Sequence, residues 1–281
     1  MLRTQRQLRV LGPADLDQVT GLLAHDPVVN VVTDYRARTT QLQPRWLNGE
    51  VLGYFEGDRL TSLCHSAANL IPAMATQPAL EMFADRVAGQ GRRCSTLLGP
   101  ADQVEVMWDR LEPLWAPARS VRLDQPHLEI ADHPAVDPDP FVTVSRPSEV
   151  ETLYPACVAM YTEEVGVSPE EHGGASLYRA RVAQLVSRGW SFARIEDGRV
   201  VFKAEIAAAS PHACQVQGVY VAPDRRGEGL GTAGMAAVVD LARRHVAPVV
   251  SLYVNAHNVS ARRVYQKVGF RQTARFTTIM F

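Results

Sequence analysis

Val219-Tyr-Val-Ala-Pro-Asp-Arg-Arg-Gly-Glu-Gly-Leu-Gly-Thr232 is the stretch from which the rest of this 281-residue chain is read. Residues 216–221 have the β-branched and aromatic content of a strand, and Pro223 and Asp224 stop it. Apolar residues then recur at helical spacing from 233 to 245. Between the two, Gly227, Gly229 and Gly231 allow close backbone approach and left-handed φ values. Bare N–H groups at the positive end of a helix dipole form a seat for phosphate. The segment therefore predicts a pyrophosphate-bearing cofactor, held by amides from Arg226 through Gly227, Glu228, Gly229, Leu230 and Gly231 to Thr232.

Other phosphate loops fit less well. The letters Gly229, Gly231 and Gly234 match a dinucleotide fingerprint, G-x-G-x-x-G. Their context does not, because no βαβ unit follows and no acidic residue ends a second strand about 20 residues on. A P-loop is excluded, since no Gly-Lys-Ser/Thr follows the glycines.

Arg226-x-x-Gly229-x-Gly231 resembles the acyl-CoA loop of the GNAT superfamily of N-acetyltransferases. A second motif follows one strand later: Asn258-Val-Ser-Ala-Arg-Arg-Val-Tyr265-Gln-Lys-Val-Gly-Phe270 is similar to the superfamily's N-x-x-A-x-x-x-Y-x-x-x-G-F signature. The resemblance is close over 214–272 and looser back to about 141. It implies an α/β (α+β) fold with a mixed, mostly antiparallel central sheet flanked by helices. It also implies acetyl-CoA as cosubstrate, with Val219, Tyr220 and Val221 bonding along the pantetheine where their strand splays from the next.

Composition sets the outer bounds. Hydrophobic residues make up 46% and charged residues 21%, as in ordinary globular proteins. No apolar run approaches the roughly 20 residues of a membrane span, and the N-terminus lacks the apolar core of a signal peptide. Cys64, Cys94, Cys157 and Cys214 form no C-x-x-C pair, and the eight histidines show no H-x-x-x-H spacing. The expectation is a cytoplasmic protein without disulfides, metal or membrane partner. Lys and Arg number 13 against 17 Asp and Glu over 1–137, and 16 against 13 over 138–281. The second half is thus slightly basic, which suits a polyanionic cofactor, and neither half has the basic stripe of a nucleic-acid binder.

Ala131-Asp-His-Pro-Ala-Val-Asp-Pro-Asp-Pro140 has three prolines and three aspartates, which no helix or central strand accommodates. The expected organisation is an accessory or degenerate GNAT-like domain over 1–130, a linker over 131–140 and a catalytic domain over 141–281. The halves share an order. A strand, Gly-Pro13-Ala-Asp and a helix parallel a strand, Arg-Pro147-Ser-Glu and a helix. The hairpin around Gly57-Asp58 parallels that around Asp197-Gly198. The pattern predicts two tandem GNAT-like domains. In the first, residues 69–76 stand where the cofactor loop should be and contain no glycine.

The resemblance implies direct attack of an amine on the thioester, which calls for a base for the ammonium and an acid for the departing thiolate. Tyr265, two turns into the last helix, matches the family's general acid, though its spacing with Val264 and Val268 also suits packing. Asn258 reads as that helix's N-cap and as a cofactor contact. The strand before the loop offers only Gln215 and Gln217, so the nearest strand carboxylate, Glu205, is the candidate base. A charge in so apolar a strand must be paired. Lys203 is not expected to be the partner, since residues two apart on a strand point side by side. A salt bridge to an arginine, or proton loss through water, stays open. Glu163, Glu164, Glu170 and Glu171 lie where the family caps its acceptor, and would attract a cationic amine or form a solvated loop with Pro169 opening a helix. Tyr161 and Tyr178 suit stacking or core packing. An acyl-CoA sensor without turnover is the alternative to an enzyme. The acceptor, a small molecule or a peptide, and the oligomeric state are not legible.

Overall fold

The computed structural model describes residues 6–281, apart from the side chain of His172. The leader reading rests partly on residues 1–5, which lie outside the described residues. In chain order the elements are β1 (Arg6–Val10), α1 (Leu16–Leu23), α2 (Val31–Thr40), α3 (Pro44–Leu47), β2 (Glu50–Glu56), β3 (Arg59–Ser66), β4 (Asn69–Ala73), α4 (Gln77–Gln90), β5 (Thr96–Pro100), α5 (Ala101–Leu111) and β6 (Ser120–Ile130). They continue with β7 (Thr143–Val144), α6 (Val150–Val165), α7 (Ala175–Ser187), β8 (Ser191–Glu196), β9 (Arg199–Ala209), β10 (Ala213–Val221), α8 (Leu230–His245), β11 (Val249–Tyr253), α9 (Val259–Val268) and β12 (Arg271–Met280).

Apart from the short α3, the second run repeats the first element for element. Each opens with a strand, a 3-10 turn carrying the Pro13 or Pro147 of the repeated motif, and two helices. Three strands, a helix, a strand, a helix and a last strand follow. The hairpins share their register: Glu56 faces Arg59 and Phe55 faces Leu60 before a bulge, just as Glu196 faces Arg199 and Ile195 faces Val200 before a bulge. The fold is mixed and mostly antiparallel, with parallel pairing in the β4–β5 and β10–β11 ladders.

Two compact units result, and they are not consecutive in sequence. The first comprises the chain up to His127 with Tyr253–His257 and Gln272–Phe281; the second comprises Leu128–Leu252 and Asn258–Arg271. Strands of the first unit run in the order β1-β2-β3-β4-β5-β12-β6, with β12 antiparallel to β5. Ile279 thus joins Leu52, Leu97, Phe83 and Trp108 in that unit's core. In the second unit the order is β11-β10-β9-β8-β7. Tyr154 and Cys157 of α6 pack there with Val182 and Val186 of α7 and Val200 of β9.

The proline-rich segment 131–140 joins no ladder, as its prolines require, yet it is tied to the second unit. Its Ala135 and Asp139 amides donate to Val268 and Ala233 at 2.8 and 3.0 Å, and the buried Asp139 carboxylate pairs with Arg194 at 2.8 Å. Residues 69–76, read as a cofactor-loop remnant, are mostly strand β4, so the turn before α4 is only Met74 to Thr76. The strand read over 141–145 shortens to Thr143–Val144. Among the described residues no helix is long and apolar enough to cross a membrane.

Candidate active site

β10 ends at Val221, a 3-10 turn runs over Pro223–Arg225, and α8 starts at Leu230, three residues earlier than apolar spacing alone places it. Gly227 and Gly229 have φ of +90° and +87°, a left-handed backbone that other residues enter only at a cost. Gly229 is the N-cap of α8, and its carbonyl accepts from the amides of Thr232 and Ala233 at 3.0 and 3.1 Å. The five amides from Gly227 to Gly231 have no protein acceptor among the described residues. Gly231 is different: a Cβ there would meet Val221 and Val264 at 3.5 and 3.6 Å, ordinary contact distances. The protein's own packing does not demand glycine at 231.

Beside this turn β10 loses its second neighbour. It pairs with β11 over Ala213, Cys214 and Gln215 only, while β9 follows it to Val221 on the other edge. The splay that the family resemblance implied is therefore present. The Arg226 side chain is engaged within the protein, donating to the Val221 carbonyl at 3.2 Å and to Glu163 of α6 at 2.7 Å. Arg225 is held by Glu196 and Glu228. The positive character of the seat comes from its amides and from helix α8 rather than from unpaired guanidinium groups.

Asn258 caps α9, its side-chain oxygen accepting from the Ala261 amide at 3.1 Å and from the Ser260 hydroxyl at 3.2 Å. Tyr265 lies two turns further, its ring buried edge-on against Phe270. Its hydroxyl makes no hydrogen bond among the described residues. Burial, reinforced by the nearby charge of Glu164, pushes the phenol up, so it carries its proton at neutral pH.

Glu205 is 5% exposed and Lys203 fully buried. Contrary to the strand-geometry argument, the two pair: Lys203 Nζ lies 2.6 Å from Glu205 Oε1. Both occupy the same face of β9, and the four-carbon lysine stem curls back along it. Buried in that apolar layer, the lysine meets its need for a counter-charge at Glu205. Burial alone would lower the ammonium, but Glu205 and Cys157 outweigh it and hold Lys203 above its ordinary value. The Cys157 thiol, pushed up to about 12 mainly by burial, donates to the same Oε1 at 3.5 Å. The other oxygen, Oε2, faces a bulge in β10 at Gly218, whose φ is +61°. A Cβ at 218 would come within 3.1 Å of both Glu205 Oε2 and the Met160 terminal methyl.

The acidic segment is mostly spoken for. α6 runs through Glu163 and Glu164 to Val165, Glu170 accepts from the Tyr154 hydroxyl at 3.0 Å, and Glu171 accepts from the Ser168 amide at 3.2 Å. Pro169 does not open a helix; a 3-10 turn over Glu171–Gly173 precedes α7. Tyr178 donates to the Cys157 carbonyl at 3.0 Å and packs against Tyr161 and Tyr154. Among the described residues no cluster of three or more His, Cys, Asp or Glu could hold a metal, and all four cysteines are buried free thiols.

The acetyltransferase (GNAT) family matches residues 159–270, which contain the splayed strand, the glycine turn and α9. Residues 159–270 are a GNAT-family acetyltransferase domain. Residues 49–153 match a family described only as a domain of unknown function, DUF4081. A mycothiol acetyltransferase from Acidimicrobium ferrooxidans is 32% identical over 173 residues, 58% of this chain and 54% of the relative. The chain thus spans about half the length of that curated relative. A GNAT-family acetyltransferase from Colwellia psychrerythraea superposes with a TM-score of 0.60 at 11% identity, over 98% of this chain and 99% of its own. A tandem GNAT protein from the clavulanic acid biosynthesis pathway does so with a TM-score of 0.55 at 14% identity, over 98% of each chain. At such identities these two speak for the fold, and the second carries the same tandem arrangement.

Proposed function

We propose that the protein is an N-acetyltransferase that moves the acetyl group of acetyl-CoA to a primary amine by direct attack. One observation carries this reading: five unbonded amides at the start of α8 stand beside the part of β10 that has lost its neighbour. An anionic diphosphate answers the amides, and an arm with amide groups answers the bare strand edge. The Arg226 and Thr232 amides, expected to share in the grip, are taken by the Pro223 and Gly229 carbonyls. Gly227, Glu228, Gly229, Leu230 and Gly231 therefore hold the diphosphate, Val219, Tyr220 and Val221 hold the arm, and Asn258 adds a further cofactor contact. Catalysis goes with residues 141–281 and an accessory role with 1–130, joined by 131–140.

The acceptor ammonium gives one proton to Glu205 Oε2, which passes it to solvent. The nitrogen then bonds to the acetyl carbon as the carbon–sulfur bond breaks. Tyr265 protonates the departing sulfur and is reprotonated by the second proton leaving nitrogen. Its proton-bearing phenol suits that role. The mycothiol acetyltransferase relative supports a small-molecule acceptor over a protein one.

The test is release of free coenzyme A from acetyl-CoA with a polyamine, an amino sugar and a lysine peptide as acceptors. Tyr265→Phe should cut kcat by about 100-fold while leaving acetyl-CoA affinity within about twofold. Wild-type turnover in that variant would return Tyr265 to packing, and intact acetyl-CoA with every acceptor would contradict the transferase reading.

A further inference from the structure

Resting on the reading of Glu205 as proton acceptor, we infer that Lys203 is a positioning residue, which holds Glu205 as an anion with one oxygen tied down and the other turned to the splay of β10. The geometry divides the carboxylate into two ends. Oε1 is held by the Lys203 ammonium at 2.6 Å and the Cys157 thiol at 3.5 Å. Oε2 has no hydrogen-bond partner among the described residues and lies under Gly218, where the β10 bulge leaves the backbone without a side chain above it.

Among the described residues, the groups that α6 and α7 bring to the pair are uncharged. From α6 comes the Cys157 thiol, and from α7 comes Tyr178, whose phenol is pushed up by burial and by the charge of Glu205. Glu205 lies opposite Gln217 on β10 and Ser191 on β8. Among the described residues Lys203 is the cation bonded to the carboxylate.

The repeat supplies an internal comparison. The two hairpins share their register, so counting from Arg199 and from Arg59 places Leu63 at the Lys203 position and His65 at the Glu205 position. His65 is buried, and neither ring nitrogen has a hydrogen-bond partner among the described residues. The unit that lacks the glycine turn lacks the ion pair as well. A pair needed only to hold a GNAT-like sheet together would have no reason to be missing from a sheet of the same pattern.

The experiment uses full-length wild type, Lys203→Met, Glu205→Gln and the double variant, in two measurements. Infrared titration reads the carboxylic-acid carbonyl band directly and needs no turnover. A protonated-acid band should appear near neutral pH in Lys203→Met, and be absent from wild type and from the double variant. The pH–rate profile with acetyl-CoA and the best acceptor should show a tenfold or greater loss of kcat in Lys203→Met at neutral pH. That loss should be recovered at higher pH, with KM for acetyl-CoA within about twofold. The double variant removes both charges, so it stays folded should the single variant not, and it should show no recovery at high pH. An unmoved acid limb in Lys203→Met beside an impaired Glu205→Gln, or no acid band in Lys203→Met, would overturn the inference. A wild-type rate in Glu205→Gln would instead overturn Glu205 as the base, and the role of Lys203 with it.

Discussion

Residue by residue, the glycine turn was the most legible part of the site, because its signal is local: two positive-φ residues and a helix start within seven positions. The places of Asn258 and Tyr265 on α9 were legible for the same reason, both being fixed by helical spacing from one cap. The partner of Glu205 was not. Strand periodicity tells which face a residue occupies, but not how a long flexible side chain will bend once buried. Here burial cost decided the matter against simple strand geometry, and Lys203 turned to Glu205. Removing one member of so buried a pair should be expensive. Lys203→Met is expected to lose about 3–5 kcal/mol in denaturant unfolding, and the double change with Glu205→Gln to recover much of it. A near-neutral single variant would show that the charge finds water after all.

Individual elements explain why two similar turns behave differently. In the second unit eight residues separate β10 from α8, and their central amides are unbonded. In the first unit three residues separate β4 from α4, and the Ala75 and Thr76 amides are already taken by the side chains of Gln103 and Ser62 at 3.0 and 3.1 Å. The missing glycines were visible in sequence, whereas the side chains that satisfy the amides were not, since they come from 28 and 14 residues away. Helix α9 depends on its cap. Asn258→Ala should cost about 1 kcal/mol and loosen the first turn ahead of Tyr265. It should therefore lower kcat in parallel with amide protection in α9; protection unchanged from wild type would argue against that coupling.

For the molecule as a whole, the duplication was legible from the repeated Pro-Ala-Asp and Pro-Ser-Glu turns and the repeated hairpins. The home of β12 was not, because a strand's partner is set by long-range packing: the last strand of the second repeat belongs to the first unit and pairs with β5. The first unit also holds two buried, acid-sensitive histidines. Burial, with Arg36 as a lesser cause, lowers His65 to about 4, and burial lowers His127 to about 4. Because the unfolded chain takes these protons near pH 6.5 and the folded one does not, stability is full above that value. It falls as pH drops from about 6.5 towards 4, by up to about 3 kcal/mol for each histidine. His65→Leu, matching the apolar surroundings, should flatten that acid slope in pH-dependent unfolding, and an unchanged slope would place the sensitivity elsewhere.

The central claim is that the amides at the start of α8 hold the diphosphate of acetyl-CoA, and Gly231→Glu tests it cleanly. That position has ordinary helical backbone and room for a Cβ, and a carboxylate in the first turn favours the helix. The fold should therefore survive, while the new charge occupies the seat. Calorimetric titration of acetyl-CoA should show one site in the wild-type protein and none in Gly231→Glu, with both unfolding at similar temperatures. Equal affinity in the two folded proteins would contradict the account.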